Sequence, residues 1–129
     1  MRKQYHSRPS TRGPLVWDVH RLVELSRNLP RKQVPVDGIR ELDENYWFQT
    51  DGSVPTCRAV AEHARLIQET DLRHPVILSA DGRIMDGMHR VAKAFIQGDA
   101  TVNAVQFMED PEPDFIDVDL ESLPYDDIT

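Results

Sequence analysis

The chain has 129 residues, with 15 Lys and Arg against 22 Asp and Glu for a formal net charge of −7, and a single cysteine, Cys57. A chain of this length forms one domain with a real core, and a lone cysteine excludes an internal disulfide or a cysteine-built zinc site. No run of 18 apolar residues occurs and no apolar stretch backs the N-terminal charges, so neither a membrane span nor a secretory signal is expected, and a cytoplasmic location follows.

The charge is unevenly placed. Residues 109–129 carry nine carboxylates and no Lys or Arg, so residues 1–108 hold 15 basic groups against 22 − 9 = 13 acidic ones, a balance of +2. An acidic chain without a helix-turn-helix candidate argues against DNA binding, which depends on neutralising phosphates with Lys and Arg. Residues 1–13, with Arg2, Lys3, Arg8 and Arg12, read as a basic, disordered arm. Apolar residues at 15, 16, 19, 22 and 23 after Pro14 predict an additional N-terminal helix within 14–32, packed on the domain or used to make a homodimer. Gln33 to Asp37 (QVPVD) predicts a short strand, placed at a sheet edge by its proline. The following segment is rich in carboxylates, Glu41, Asp43 and Glu44, before a hydrophobic anchor at Tyr46, Trp47 and Phe48.

Gln49 to Ser53 is a turn cluster, and Ser53 or Thr56 with Pro55 supplies a helix start. The helix runs from Arg58 to Thr70, with Val60, Ala64 and Ile67, flanked by Leu66, as its expected buried stripe. His74 to Phe107 is the centre of the chain. Two apolar runs flank Asp81-Gly82, a two-residue hairpin signal. The second run ends at Asp86-Gly87, where glycine permits a positive φ or a close approach, and residues 91–96 follow with helical spacing until Gly98. Residues 101–107 form a closing strand. A strand that breaks at glycine into a helix leaves free N–H groups and a positive dipole end, with His89 and Arg90 beside them, and such a bend suits phosphate. In the acidic extension, residues 109–129, Ile116, Val118 and Leu120 alternate with carboxylates and predict a further edge strand.

The order strand, DG turn, strand, D-G-x-H-R, helix, strand, carried here by Asp81-Gly82 and by Asp86-Gly87-Met88-His89-Arg90, resembles the nucleotide-binding domain shared by ParB partition proteins, sulfiredoxins and the free-serine kinases. The likeness covers residues 33–108, and DGMHR is nearest to the D-G-H-H-R of the serine kinases, with Met88 in place of their first histidine. Met88 also stands where sulfiredoxins carry their catalytic cysteine, so that reaction is set aside. The resemblance implies an α+β fold, a small mixed β-sheet flanked by helices. It also implies a nucleotide (ATP, ADP or CTP, with Mg²⁺) bound by Gly87, Met88, His89 and Arg90, with Thr56 and Arg58, and Glu62 or His63 behind them. In the serine kinases a glutamate of the loop matching 38–48 is the general base, a role that falls to Asp43 or Glu44 here.

Phosphoryl groups need fixed donors, positive potential and usually a divalent cation. The 87–90 amides, the His89 ring and the Arg90 fork would supply the first two, and Asp86 would hold Mg²⁺ or receive a proton. Three activities fit: a small phosphotransferase acting on a hydroxyl substrate, a ParB-like nucleotide switch that closes on a protein partner, and an interaction module with a vestigial site whose acidic tail mimics a polyanion or shields a basic cleft.

Overall fold

A computed structural model describes residues 4–48 and 54–124. The fold is mixed α+β and is built around a four-stranded sheet of β3 (Lys32–Pro35), β6 (Thr101–Gln106), β4 (Val76–Leu78) and β5 (Ile84–Asp86), in that order. β4 runs parallel to β6, whereas β3 and β5 pair antiparallel with their neighbours. The proline of β3 lies on an outer strand, as its missing N–H requires.

Side-chain alternation along the strands splits the core in two. Val76, Leu78, Ile84, Val102 and Ala104 point to one face, where they meet Met88, Val91 and Ala94 of α3 (Met88–Gln97) and Val36 and Ile39 of a pair of 3-10 turns at Val36–Gly38 and Arg40–Asp43. Ile77, Met85 and Val105 point to the other face and pack with Phe107, Trp17 and Leu22. Of the two inner strands, β4 is therefore buried on both sides along its whole length.

Trp17 and Leu22 come from the N-terminal segment, which differs from its sequence pattern. Residues 15–18 form a strand, β2, and only Val19–Ser26 are helical (α1), capped by the Asp18 carboxylate on the His20 amide at 2.9 Å. A cap at Asp18 starts the helix there, and the bulky run Leu15-Val16-Trp17 is used as strand, so Pro14 is not a helix start. The basic arm is not disordered over Tyr5–Arg8 (β1), which pairs antiparallel with β2. His6 lies 5.6 Å from Trp17, ring to ring, and Arg8 bonds Asp110 at 3.3 Å. Arg2 and Lys3 lie outside the described residues, as do Gln49 to Ser53 and the end of the acidic extension.

The expected edge strand of the acidic extension is Phe115–Ile116 (β7), on the other side of β2. It is shorter than the alternation suggested, because Asp117 turns the chain at φ 57°. Arg21 meets Asp114 at 3.3 Å, and the Trp17 indole donates to the Pro111 carbonyl at 2.8 Å. Asp110 and Asp114 of this segment thus answer basic residues of the first 21 positions.

The hairpin turn is also longer than two residues. Gly82 N–H donates to the Ser79 carbonyl at 2.9 Å, the Ser79 amide donates to the Arg83 carbonyl at 2.8 Å, and Gly82 sits at φ +87°. This is a three-residue loop closed by a left-handed glycine. Helix α2 (Cys57–Glu69) is capped by Thr56, whose hydroxyl accepts from the Ala59 amide at 3.1 Å. Its inward face meets the expected stripe at Ile67 alone: Ala59, His63 and Ile67 are half-buried, while Ala64 is exposed, as are Val60 at 51% and Leu66 at 44%. A polar residue, His63, holds the centre of that face for a reason that lies in the site.

Trp17→Ala should cost roughly 3–5 kcal/mol. Because β1 and the acidic segment both lean on this ring, limited proteolysis of the variant should cut first within 4–18 and 110–118, before the central sheet opens.

Candidate functional site

The site is organised by one bend. Gly87 lies at φ 109°, ψ 24°, and a Cβ placed there would come within 2.8 Å of Val76 Cγ1, so both readings of this glycine hold. No side chain caps α3 at this end. Asp86, Gly87, His89 and Arg90 line a cavity of about 310 Å³ together with Gln4, Leu66, Glu69 and Thr70.

The two basic side chains turn in different directions. Arg90 Nη2 bonds Asp86 Oδ2 at 3.2 Å and its Nη1 donates to the Pro75 carbonyl, so the fork is held by the edge of β4 and by the residue one helical turn back. Burial raises the pKa of Asp86, and the Arg90 charge opposes that shift. His89 turns toward α2, where its Nε2 lies 2.9 Å from His63 Nδ1. One ring must donate and the other accept, so at least one is neutral. The Trp47 indole lies over both imidazoles, with centroids 4.5 Å from His63 and 4.8 Å from His89 and planes within 19° and 17°. Phe48 meets His63 edge-on at 5.5 Å. Burial, then the neighbouring His63 and Arg90, lower the pKa of His89 to about 4, and burial also lowers that of His63. His89 is therefore uncharged at neutral pH, which leaves Arg90 as the charged donor of the bend.

The other expected site residues disperse. Met88 is 6% exposed and packs in the core, so only its backbone faces the bend. Thr56 is used as the α2 cap, and Arg58 is an exposed residue of α2; neither lines the cavity. Glu44 is gripped by Arg83 Nη1 at 2.6 and 2.7 Å, and Asp43 is exposed at the end of its 3-10 turn, so neither expected base reaches the cavity. The carboxylate drawn inward from this loop is Glu41 instead. It is 4% exposed, its Oε2 accepts from the Ile84 amide at 2.7 Å, and its buried Oε1 has no hydrogen-bond partner among the described residues. Burial, then Glu41 and Asp86, push the Tyr46 phenol up to about 12.

Sequence reasoning missed Glu41, Trp47 and Glu69. Trp47 read as an anchor, and nothing in its spacing tells that its face covers two histidines 16 and 42 residues away. Among the described residues no cluster of three His, Cys, Asp or Glu side chains forms a metal site, and no helix is long and apolar enough to cross a membrane. Comparison with family models, curated proteins and solved structures finds no match.

Two outcomes follow. Gly87→Ala should cost about 1–3 kcal/mol in denaturant unfolding, because φ is left-handed and Val76 blocks the methyl. Histidines whose folded pKa is depressed favour the unfolded chain once it can take the proton. Stability should therefore be intact above pH 6.5 and fall as the pH drops from 6.5 toward about 4, the values for His6 and His89. His6, the more deeply buried of the two, would contribute up to about 3 kcal/mol of that loss and the partly solvated His89 less, and His89→Gln should flatten the thermal-shift profile over the window.

Proposed function

We propose that residues 33–108 form a nucleotide-phosphate-binding domain of ParB/sulfiredoxin type, with the phosphates in the cavity at Gly87 to Arg90. The observation that carries this reading is the left-handed, side-chain-free start of the ten-residue α3, which opens beside that cavity with a guanidinium in its wall. The run β3, α2, β4, DG turn, β5, D-G-x-H-R, α3, β6 supports the family assignment.

In this reading the ligand competes for Arg90 with a weak partner. Asp86 is poorly solvated, its contact with Arg90 is long at 3.2 Å, and a phosphate offers the fork two oxygens at once. His89 serves as a neutral wall and donor rather than as a charge. Mg²⁺ fits as an ion carried by the nucleotide, because the cavity offers two carboxylates, Asp86 and Glu69, and such ions are commonly bound through one or two carboxylates plus phosphates. The bound ion would neutralise phosphate charge. Asp86 is also the expected proton acceptor that lines the cavity, with its pKa raised by burial.

A second reading, a nucleotide switch without turnover, is favoured by one specific observation: Glu44 is tied to Arg83, and neither it nor Asp43 lines the cavity. Thermal shift with ATP, ADP and CTP tests binding, since a ligand raises stability by RT ln(1 + [L]/Kd). The shift should vanish in Arg90→Ala and be reduced in Arg90→Lys. Asp86→Asn should strengthen binding of the metal-free nucleotide and abolish any gain from Mg²⁺. No shift with any nucleotide at millimolar concentration would sink the proposal. Phosphate transfer to a hydroxyl compound, lost in Asp86→Asn, separates an enzyme from a switch.

A further inference from the structure

On the other side of Arg90 lies a larger cavity, of about 650 Å³, between α1 and the sheet, and it shares Gln4, Asp86 and Arg90 with the first. Its size is within the range of small-molecule sites, roughly 300–1,000 Å³. The inner wall is apolar, made by Val19 and Val23 of α1 and by Pro75, Ile77 and Val105 of the sheet. Val23 is left 44% exposed at the lip, although the neighbouring Leu22 is fully buried. The lining also carries the guanidinium groups of Arg27 and Arg31, with His74.

These charges are not used up internally. Glu24 is held by Arg27 at 2.6 Å, in a pair whose members are both 65% exposed, and an exposed pair of this kind contributes little and exchanges readily. Arg31 makes no carboxylate contact among the described residues; its Nη1 donates to the Arg73 carbonyl at 3.2 Å, which orients the guanidinium and leaves most of its donors unused. Arg73 itself is occupied by Asp71 at 2.8 Å. Across the lining, Arg27, Arg31 and Arg90 outweigh Glu24 and Asp86 by one positive charge.

An apolar wall together with a guanidinium without a carboxylate partner is complementary to a particular chemistry. We infer that this cavity is a second site, for a small organic monocarboxylate whose hydrocarbon body lies against Val19, Val23, Ile77 and Val105 and whose carboxylate is taken by Arg31 with Arg27. The inference does not rest on the nucleotide reading, because the anion-gripping residues of the two sites differ. Where both ligands bind, the shared wall of Asp86 and Arg90 couples them, and the coupling is reciprocal.

The test uses the intact chain and a series of straight-chain carboxylates, butyrate to octanoate, measured by thermal shift and by titration calorimetry. Affinity should rise with chain length and exceed that of the methyl ester of the same acid. Arg31→Gln should weaken octanoate by about tenfold, the effect of losing one charged hydrogen-bonded contact. Val23→Asp, on an exposed position that tolerates polarity, should weaken octanoate at least as much, with the circular dichroism spectrum unchanged. Neither variant should alter a nucleotide shift, because Arg31 and Val23 line only the second cavity, and that difference separates the two sites. No binding of any carboxylate at 10 mM, on the order of the weakest useful affinity, overturns the inference. So does octanoate binding that is equal in the parent, Arg31→Gln and Val23→Asp proteins, and ester binding as tight as acid binding removes the carboxylate from the site.

Discussion

The crowding of Gly87 against Val76 governs the arrangement of the site. With 2.8 Å between a notional Cβ and Val76 Cγ1, only glycine lets β5 end this close to β4, and only a left-handed φ turns the chain straight into α3. The direction of that helix then follows, with Met88, Val91 and Ala94 pressed on the sheet and His89 and Arg90 left on its flanks. Arg90 sits a single turn into the helix, at the right height to reach both Asp86 and the Pro75 carbonyl. The bend that makes an anion-binding geometry thus also supplies its own internal competitor.

Two neighbouring histidines respond to the same packing in a different way. Under the indole of Trp47 the imidazoles of His63 and His89 are partly shielded from water, and a hydrogen bond between two neutral rings costs less there than a charge on either. Lys93 holds the two helices in register by donating to the Gln68 and Thr70 carbonyls at 3.0 and 2.7 Å, which also satisfies the end of α2. His63 occupies the centre of the inward face of α2 because its partner is another histidine on α3. A hydrophobic stripe would have put Val60 there, and the cost of the exchange is visible as the exposure of Val60 and Leu66.

The features legible in the sequence are those set by local backbone chemistry. Asp81-Gly82 marked the hairpin, Gly87 the bend, Thr56 the start of α2, and Pro35 a sheet edge, since each depends on φ, on a missing N–H or on a hydroxyl close in sequence. What stayed hidden depends on partners far along the chain. Tyr5 to Arg8 is too polar to announce a strand, and becomes one because Trp17 and Asp110 receive His6 and Arg8. Glu41, Asp43 and Glu44 are chemically alike in the sequence, and the fold sorts them by distance to Ile84 and Arg83. Sequence spacing placed His89 and Arg90 side by side, but could not tell that one would face α2 and the other β4.

The acidic segment shows how misleading a net charge can be. Asp110 bonds Arg8 and the Ala80 amide, and Asp114 bonds Arg21 and the Asp18 amide, so these carboxylates are consumed in closing the second sheet over Trp17. Neither Asp110 nor Asp114 lines either cavity at Arg90. Among the described residues, Arg8 of the basic arm and Asp110 of the acidic extension form an ion pair beside the two short strands, β1 and β7, that flank β2. The charge at the cavities is set by their own linings, Arg90 against Asp86 and Glu69 in the first, and Arg27, Arg31 and Arg90 against Glu24 and Asp86 in the second. An anion approaching this face responds to a field that the total of −7 does not describe.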